Sequence, residues 1–166
     1  MKRLLALPPD KLYEAMPYIN KYVKNAYDTG TGEQRWETIL GRAFLGDVLI
    51  WLAFYDGNIV GAASTEIIDF DGYRCVHVIT AGTDNHVGFE DFHYALEDYA
   101  RQIGAKNLQF WGRKGWSRAA DRITGMAGEK YKEVYRVFSM EIEYHENDSI
   151  DEPGPPLHEQ LGDRTP

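Results

Sequence analysis

The chain has 166 residues, of which 43% are hydrophobic and 27% charged, a composition typical of one folded domain rather than of a disordered chain. Its formal net charge of −8 opposes binding to nucleic acid and to anionic membranes, and no apolar run reaches the roughly 18 residues that a membrane span requires. Five scattered histidines and a single cysteine, Cys75, show no metal-ligand spacing, so we expect a soluble, cytoplasmic protein without a metal.

The first half of the sequence predicts a strand, two helices and a β-hairpin. Residues 2–7 can form a short strand, and residues 8–25 begin with two prolines and continue with apolar residues at helical spacing. A second helical pattern covers residues 36–46. Residues 48–55 are apolar throughout, which indicates a strand buried on both faces, and an Asp-Gly-Asn turn then leads into a strand at 59–68.

The second half predicts three more strands and two more helices. The strands are expected at residues 73–81, 108–111 and 134–142. An amphipathic helix is expected at residues 89–104, with its apolar stripe facing the core, and a shorter helix at 114–123.

The last 24 residues differ from the rest. Residues 143–166 contain four prolines and several acidic residues and show no periodicity, so the composition predicts disorder. We therefore divide the chain into a domain at residues 1–142 and a proline-rich acidic tail. If the tail is ordered it needs a surface to lie against, so we expect it to contact a protein partner or a second copy of the chain.

The predicted order of elements, β-α-α-β-β-β-α-β-α-β, resembles the GNAT (N-acetyltransferase-like) fold over about residues 2–142. The segments that carry the resemblance are 51–67 (WLAFYDGNIVGAASTEI), 73–108 and 130–142. The resemblance implies an α+β domain with a mixed, mostly antiparallel sheet, splayed central strands and flanking helices. The segment Gly112-Arg113-Lys114-Gly115-Trp116 is similar to one in short GNAT-like proteins encoded by bacteriophages, which implies a location in the host cytoplasm or the virion.

The resemblance also implies an acyl-CoA site, with acetyl-CoA as the acyl donor. In GNAT enzymes the CoA pyrophosphate lies on backbone N–H groups of a glycine-containing loop before the central helix. The corresponding cofactor positions in this sequence are Ile79, Thr80, Gly82 and Gly88. The two glycines lie six residues apart, without the family's leading Arg or Gln and without its Gly-x-Gly/Ala pair.

The charge of this loop argues against tight CoA binding. From Cys75 to Ala100 there is no Lys or Arg, whereas five residues are acidic, among them Asp84. Glu90 and Asp91 are expected in the first turn of the central helix, where each would stabilise the helix dipole by about 0.3 to 1 kcal/mol and repel a pyrophosphate. The segment is therefore either a CoA loop that uses backbone groups alone or an ordinary acidic start of a helix.

The candidate catalytic residues are those that could act as a general base near the central strands. Glu66 follows a long apolar run, and His77 alternates with Cys75 and Ile79, so both could point into a cleft. Each could equally be structural, and Asp69, a third candidate, could simply open a turn.

Two functional hypotheses follow. The first is an acyl-CoA-dependent N-acetyltransferase, in which Glu66 or a water deprotonates an amine and a backbone N–H near Thr80 polarises the thioester. The second is a GNAT-shaped protein without catalysis, used as a virion-associated structural or partner-binding component through its tail. The fold alone does not choose between them.

Overall fold

A computed structural model of the chain describes residues 1–28, 35–84, 87–88, 92–111 and 120–134. The chain divides into two compact units, Met1–Lys132 and Glu133–Pro166, and every helix and strand given below belongs to the first. Apart from Val134, the predicted strand at 134–142 and the tail at 143–166 lie outside the described residues. The contact of the tail with a partner or a second copy therefore stays a prediction.

The chain begins with a strand and a helical layer, as predicted. These elements are β1 (Lys2–Leu7), a 3-10 turn (Pro9–Lys11), α1 (Leu12–Ile19), a π-helical turn (Asn20–Lys24), α2 (Asn25–Asp28) and α3 (Trp36–Leu45). The π-helical turn buries Tyr22 and Val23. Gly46 ends α3 with a φ of 85°, in the left-handed region where glycine is favoured.

In the described part of the chain, five strands form one sheet in the order β1-β2-β3-β4-β5. The four that follow the helical layer are β2 (Val48–Tyr55), β3 (Asn58–Phe70), β4 (Tyr73–Thr83) and β5 (Asn107–Phe110). Strands β1 to β4 are antiparallel neighbours, and β5 pairs with β4 in parallel after the crossover helix α4 (His93–Gln102). Asp56 and Gly57 have φ values of 47° and 85°, which suit the tight turn between β2 and β3.

Two hydrophobic clusters pack on the sheet. The first core joins it to the N-terminal helices and includes Leu12, Ile19, Val23, Ile39, Ile50, Leu52 and Ala62. The second core joins it to α4 and includes Trp51, Ala53, Val78, Phe92 and Leu96. Successive residues of β2 alternate between the two cores, which confirms the prediction that this strand is buried on both faces.

Two irregularities of β4 shape the region that carries the candidate site. Ser64 of β3 pairs with Thr80 but the next residue pairs with Val78, so Ile79 is an extra, bulged residue. The pairing of β4 with β5 ends at Val78 and Phe110, whereas β4 continues to Thr83. Beyond Val78, therefore, the described residues give β4 no strand partner on the side of β5.

The remaining predictions are confirmed in part. Phe92, Leu96 and Ala100 of the amphipathic helix are buried, as is Cys75. The first turn predicted for Glu90 and Asp91 lies outside the described residues, as does most of the predicted helix at 114–123, of which residues 120–122 are helical. In the described part of the chain, no helix is long and apolar enough to cross a membrane and no group of His, Cys, Asp or Glu side chains could hold a metal ion.

Candidate active site

A hydrogen-bonded chain of three side chains links α3 to the centre of the sheet. The Arg42 guanidinium donates to one oxygen of the Glu66 carboxylate at 2.7 Å, and Nδ1 of His77 lies 3.0 Å from the other. Glu66 and His77 are register partners on β3 and β4, and Arg42 lies in the last turn of α3. The two catalytic candidates predicted from the sequence are therefore brought into direct contact.

Two hydrogen-bond partners stabilise the negative charge of Glu66. The side chains of Glu66 and His77 are only 14% and 4% exposed. Burial, the largest single influence, would raise the pKa of Glu66, but the hydrogen bonds from His77 and Arg42 outweigh it and hold that pKa below its ordinary value. Glu66 is thus a carboxylate at neutral pH, well suited to accept the Nδ1 proton of His77.

The other ring nitrogen of His77 has no hydrogen-bond partner among the described residues. Nε2 is buried and makes no hydrogen bond within the described structure, a rare state for a buried polar atom. With the proton on Nδ1, Nε2 carries a free lone pair. A base whose second nitrogen is oriented by a carboxylate is the arrangement that activates amines, hydroxyls and thiols in enzymes.

Trp111 packs against this histidine. The two ring centroids lie 4.6 Å apart at an interplanar angle of 44°. Trp111 follows β5 directly and is 55% exposed, whereas His77 is 3% exposed. The indole therefore covers part of the imidazole.

Glu66 also has a connection to solvent. It borders a small pocket of about 70 Å³, lined in addition by Gly46, Asp47, Leu49, Thr65, Ile67 and Tyr99. A pocket of this size admits a small number of water molecules. Glu66 therefore borders a space that water can enter.

The third candidate base does not belong to this cluster. Asp69 is exposed and binds Arg74, whose Nε lies 2.7 Å from Oδ1 of the carboxylate. The two side chains form an ion pair near the turn between β3 and β4, which agrees with a structural role for Asp69 at this turn.

The predicted cofactor positions lie along β4 and the loop after it. Ile79 is the bulged residue and packs partly against the first core, and the Thr80 hydroxyl lies 2.8 Å from that of Ser64. Gly82 approaches the π-helical turn so closely that a Cβ atom there would lie 2.7 Å from the Tyr22 carbonyl oxygen. Gly88 is partly buried. Close packing thus explains the glycine at 82 without a ligand.

The structure places one positive charge beside the acidic loop. Lys21 Nζ lies 2.9 Å from one oxygen of Asp84, and the Tyr22 hydroxyl lies 3.0 Å from the other. The stretch from Cys75 to Ala100 indeed has no basic residue of its own, but the π-helical turn supplies one from another part of the chain. The acidic loop is therefore partly neutralised, by a lysine that is itself engaged.

Sequence reasoning missed Arg42 and Lys21. Arg42 is 24 residues from Glu66, and Lys21 is 63 residues from Asp84. Neither spacing has a periodicity that would link the two positions, and an arginine in the last turn of a helix is explained equally well by the helix dipole. Only the fold brings these residues together.

Comparison with known proteins identifies the class of fold. No protein-family model matches the sequence, and no curated protein matches it. Solved structures do match it, and they are GNAT acetyltransferases, so the chain has the GNAT fold and the predicted fold class is confirmed. The resemblance to phage-encoded proteins stays a prediction, and the segment at 112–116 that suggested it lies outside the described residues.

Three of these structures illustrate the similarity of fold. The ribosomal-protein-alanine N-acetyltransferase from Brucella melitensis biovar Abortus 2308 is 13% identical with a TM-score of 0.62, covering 86% of this chain and 100% of that one. An aminoglycoside acetyltransferase from an uncultured soil metagenomic sample, in complex with sisomicin, is 11% identical with a TM-score of 0.58, covering 84% and 97%. The aminoglycoside N-acetyltransferase AAC(6')-Iy, in complex with CoA, is 12% identical with a TM-score of 0.56, covering 85% and 95%. At these identities the likeness concerns the fold.

We predict that the stability contributed by Glu66 depends on pH. The Glu66→Gln variant is expected to lose about 1 to 2 kcal/mol at pH 7, because Arg42 and His77 each lose a charged partner. Since the folded-state pKa lies below the ordinary 4.5, this stability is complete above pH 4.5 and is lost as the pH falls through the folded pKa. Urea unfolding at several pH values should show the two proteins converging in acid.

Glu37→Gln is the matched control, since Glu37 is exposed on the same helix as Arg42. That variant should follow the wild type at every pH. A constant difference between wild type and Glu66→Gln down to pH 2 would contradict the prediction.

Proposed function

We propose that the protein is an N-acyltransferase that transfers an acyl group from acyl-CoA to an amine. The observation that carries the proposal is the cluster of Arg42, Glu66 and His77, which leaves a buried, unpartnered Nε2 beside the bulged part of β4. The fold supports it, as do the names of the three structures above, all of which are acetyltransferases.

The strand edge is compatible with an acyl donor. An acyl-pantetheine arm carries amide groups, and residues 79–83 of β4 extend beyond the paired part of β5, where main-chain groups can hydrogen-bond to such an arm. Ile79 and Thr80 would lie nearest the acyl group, at the bulge. The CoA thioester supplies the activated acyl carbon. The chain's own residues perform the proton transfers of the reaction.

The loop at 82–88 suits the phosphates less well. Asp84 already binds Lys21 and the Tyr22 hydroxyl, so a phosphate must compete with a carboxylate for the lysine. We therefore expect weak CoA binding. This agrees with the absence of basic residues near the loop in the sequence.

In the proposed mechanism His77 is the base. A primary amine is protonated in neutral water and must lose a proton before its nitrogen can attack the acyl carbon. That first proton goes to water. Nε2 of His77 takes the second proton, which the nitrogen loses as it bonds to the acyl carbon, while Nδ1 stays bonded to Glu66, whose charge stabilises the imidazolium. Arg42 fixes the carboxylate. A new C–N bond forms, the C–S bond breaks, and the imidazolium returns a proton to the departing thiolate.

The competing hypothesis is a GNAT-shaped binding protein without catalysis. The observation that favours it is the ion pair of Asp84 with Lys21 in the loop where a phosphate would lie. It leaves the buried, unpartnered nitrogen of His77 unexplained. An assay of acyl transfer separates the two hypotheses.

We predict acyl transfer that depends on His77. The assay supplies acetyl-CoA with either sisomicin or a peptide with an N-terminal alanine, the acceptors suggested by the neighbours' names, and measures thiol release. The His77→Gln variant should lower kcat about 10²- to 10⁴-fold, the usual contribution of a general base. His93→Gln is the control, because His93 is a buried histidine at the start of α4 whose ring lies beside Glu97 of the same helix and Tyr131.

Wild-type protein that neither releases thiol nor binds acetyl-CoA in calorimetry would contradict the proposed function. Equal kcat values for wild type and His77→Gln would contradict the role of the histidine.

We also predict that removing the charge of Asp84 strengthens CoA binding. In Asp84→Asn the loop loses a negative charge and Lys21 becomes available to a phosphate, so Kd should fall about tenfold, or about 1.4 kcal/mol. Lys21→Ala should weaken binding. Asp71→Asn, in the exposed turn between β3 and β4, makes the same change in net charge and should leave Kd unchanged. Weaker binding by Asp84→Asn in calorimetry would show that CoA phosphates do not approach this loop.

A further inference from the structure

The loop after β4 uses main-chain groups that a phosphate would need. The Asp84 N–H donates to the Val60 carbonyl oxygen of β3 at 2.8 Å, and the Val87 N–H donates to the Asp84 carbonyl oxygen at 2.9 Å. The Thr83 hydroxyl donates to the Val87 carbonyl oxygen at 2.6 Å and closes the same turn. Protein sites bind phosphate through free N–H groups and cations. In the described part of this loop, two N–H groups are therefore already bound within the fold.

The side chains of the loop place a carboxylate where a phosphate would need a cation. Asp84 accepts hydrogen bonds from Lys21 at 2.9 Å and from the Tyr22 hydroxyl at 3.0 Å. The Lys21 ammonium also donates to the Tyr22 hydroxyl at 2.7 Å, so the three groups hold one another. A phosphate that approached Lys21 would have to displace a carboxylate and would be repelled by its charge.

The packing of the fold sets the position of this cluster. The π-helical turn that carries Lys21 and Tyr22 lies so close to β4 that a Cβ atom at position 82 would be 2.7 Å from the Tyr22 carbonyl oxygen. Tyr22 is 5% exposed and Val23, next to it, is fully buried. The hydroxyl that binds Asp84 therefore belongs to a fixed part of the first core and not to a loose surface side chain.

The neighbouring strand edge has the opposite character. Residues 79–83 of β4 extend beyond the part that pairs with β5, so among the described residues they have no strand partner on that side. Free main-chain groups of a strand edge bind amide groups well. The pantetheine arm of CoA carries amides and no charge, whereas the adenosine half carries all the phosphates. The site thus suits the arm and not the nucleotide.

We infer that the protein takes its acyl group from a pantetheine thioester and gains no binding from the adenosine phosphates of CoA. The inference rests on the proposed function and narrows its donor. The reaction itself is unchanged: the C–N bond forms, the C–S bond breaks, and the pantetheine thiol leaves with the proton that His77 returns. The net charge of −8 acts in the same direction, because it repels a donor with several phosphates more than an uncharged one.

The test compares two donors on the wild-type protein. Acetyl-CoA and S-acetyl-pantetheine are each supplied with the acceptor that gives turnover in the assay above, and thiol release is measured. Their kcat/KM values should lie within about threefold of each other. A single charge-assisted hydrogen bond to a phosphate would add about tenfold or more. A preference of that size for acetyl-CoA would overturn the inference.

A third donor separates the two sources of such a thioester. This donor is an acyl carrier protein that bears the acetyl group on its phosphopantetheine arm. A higher kcat/KM for the carrier protein than for S-acetyl-pantetheine would support the inference with a carrier protein as the source. An equal or lower value, with the two small donors still alike, would support it with free pantetheine thioesters as the source.

The variants Asp84→Asn and Asp71→Asn test the cause. Asp84→Asn frees Lys21 from a carboxylate, so the ratio of kcat/KM for acetyl-CoA to that for S-acetyl-pantetheine should rise about tenfold. Because both donors are measured on the same sample, any loss of folded protein cancels in this ratio. Asp71→Asn makes the same change in net charge in an exposed turn and should keep the wild-type ratio. An unchanged ratio in Asp84→Asn would contradict the role given to this carboxylate.

Salt gives a second readout on the wild type. Salt screens charge, so kcat/KM for acetyl-CoA should not fall as the salt concentration rises. A fall with acetyl-CoA that S-acetyl-pantetheine does not show would mean that the phosphates are recognised, and would overturn the inference. The absence of thiol release from every donor would instead overturn the proposed function, so the two failures are distinguishable.

Discussion

The carboxylate of Glu66 is the charge on which the candidate site depends. A carboxylate that is 14% exposed is costly to the fold unless hydrogen bonds and an opposite charge compensate for its lost hydration. Arg42 supplies the charge from α3, and His77 supplies a hydrogen bond from the neighbouring strand. Because the carboxylate binds Nδ1 of the histidine, the other ring nitrogen is the one that acts as the base in the proposed mechanism. The need to compensate the buried charge of Glu66 thus links α3 to the two strands that carry Glu66 and His77.

The two halves of the proposed site differ in how well they suit a substrate. Around His77, the pairing with β5 ends, so main-chain groups of β4 near the bulge have no strand partner on that side among the described residues. They lie next to a buried base. At the loop, Asp84 engages Lys21 in an ion pair. Under the proposed function, this arrangement would favour recognition of the acyl group over recognition of the phosphates.

Local features of the fold could be predicted from the sequence, whereas the contacts of the site could not. The strand at residues 48–55, the Asp56-Gly57 turn and the end of a helix at Gly46 are each indicated by a short local pattern of residue types. The bulge at Ile79 depends on the register with β3, which no local pattern encodes. Glu66 and His77 were each predicted as candidates from polarity within apolar strands, but their pairing, and that of Glu66 with Arg42, follows from the three-dimensional packing.

The most direct test of the central claim is the tautomer of His77, which ¹⁵N NMR of the imidazole reports. The proposed mechanism requires the ring proton on Nδ1, where Glu66 accepts it, and a lone pair on Nε2. We predict a protonated Nδ1 and a bare Nε2 in the wild type, and a loss of this preference in Glu66→Gln. A proton on Nε2 in the wild type would contradict the account, because the buried lone pair on which the mechanism rests would not exist.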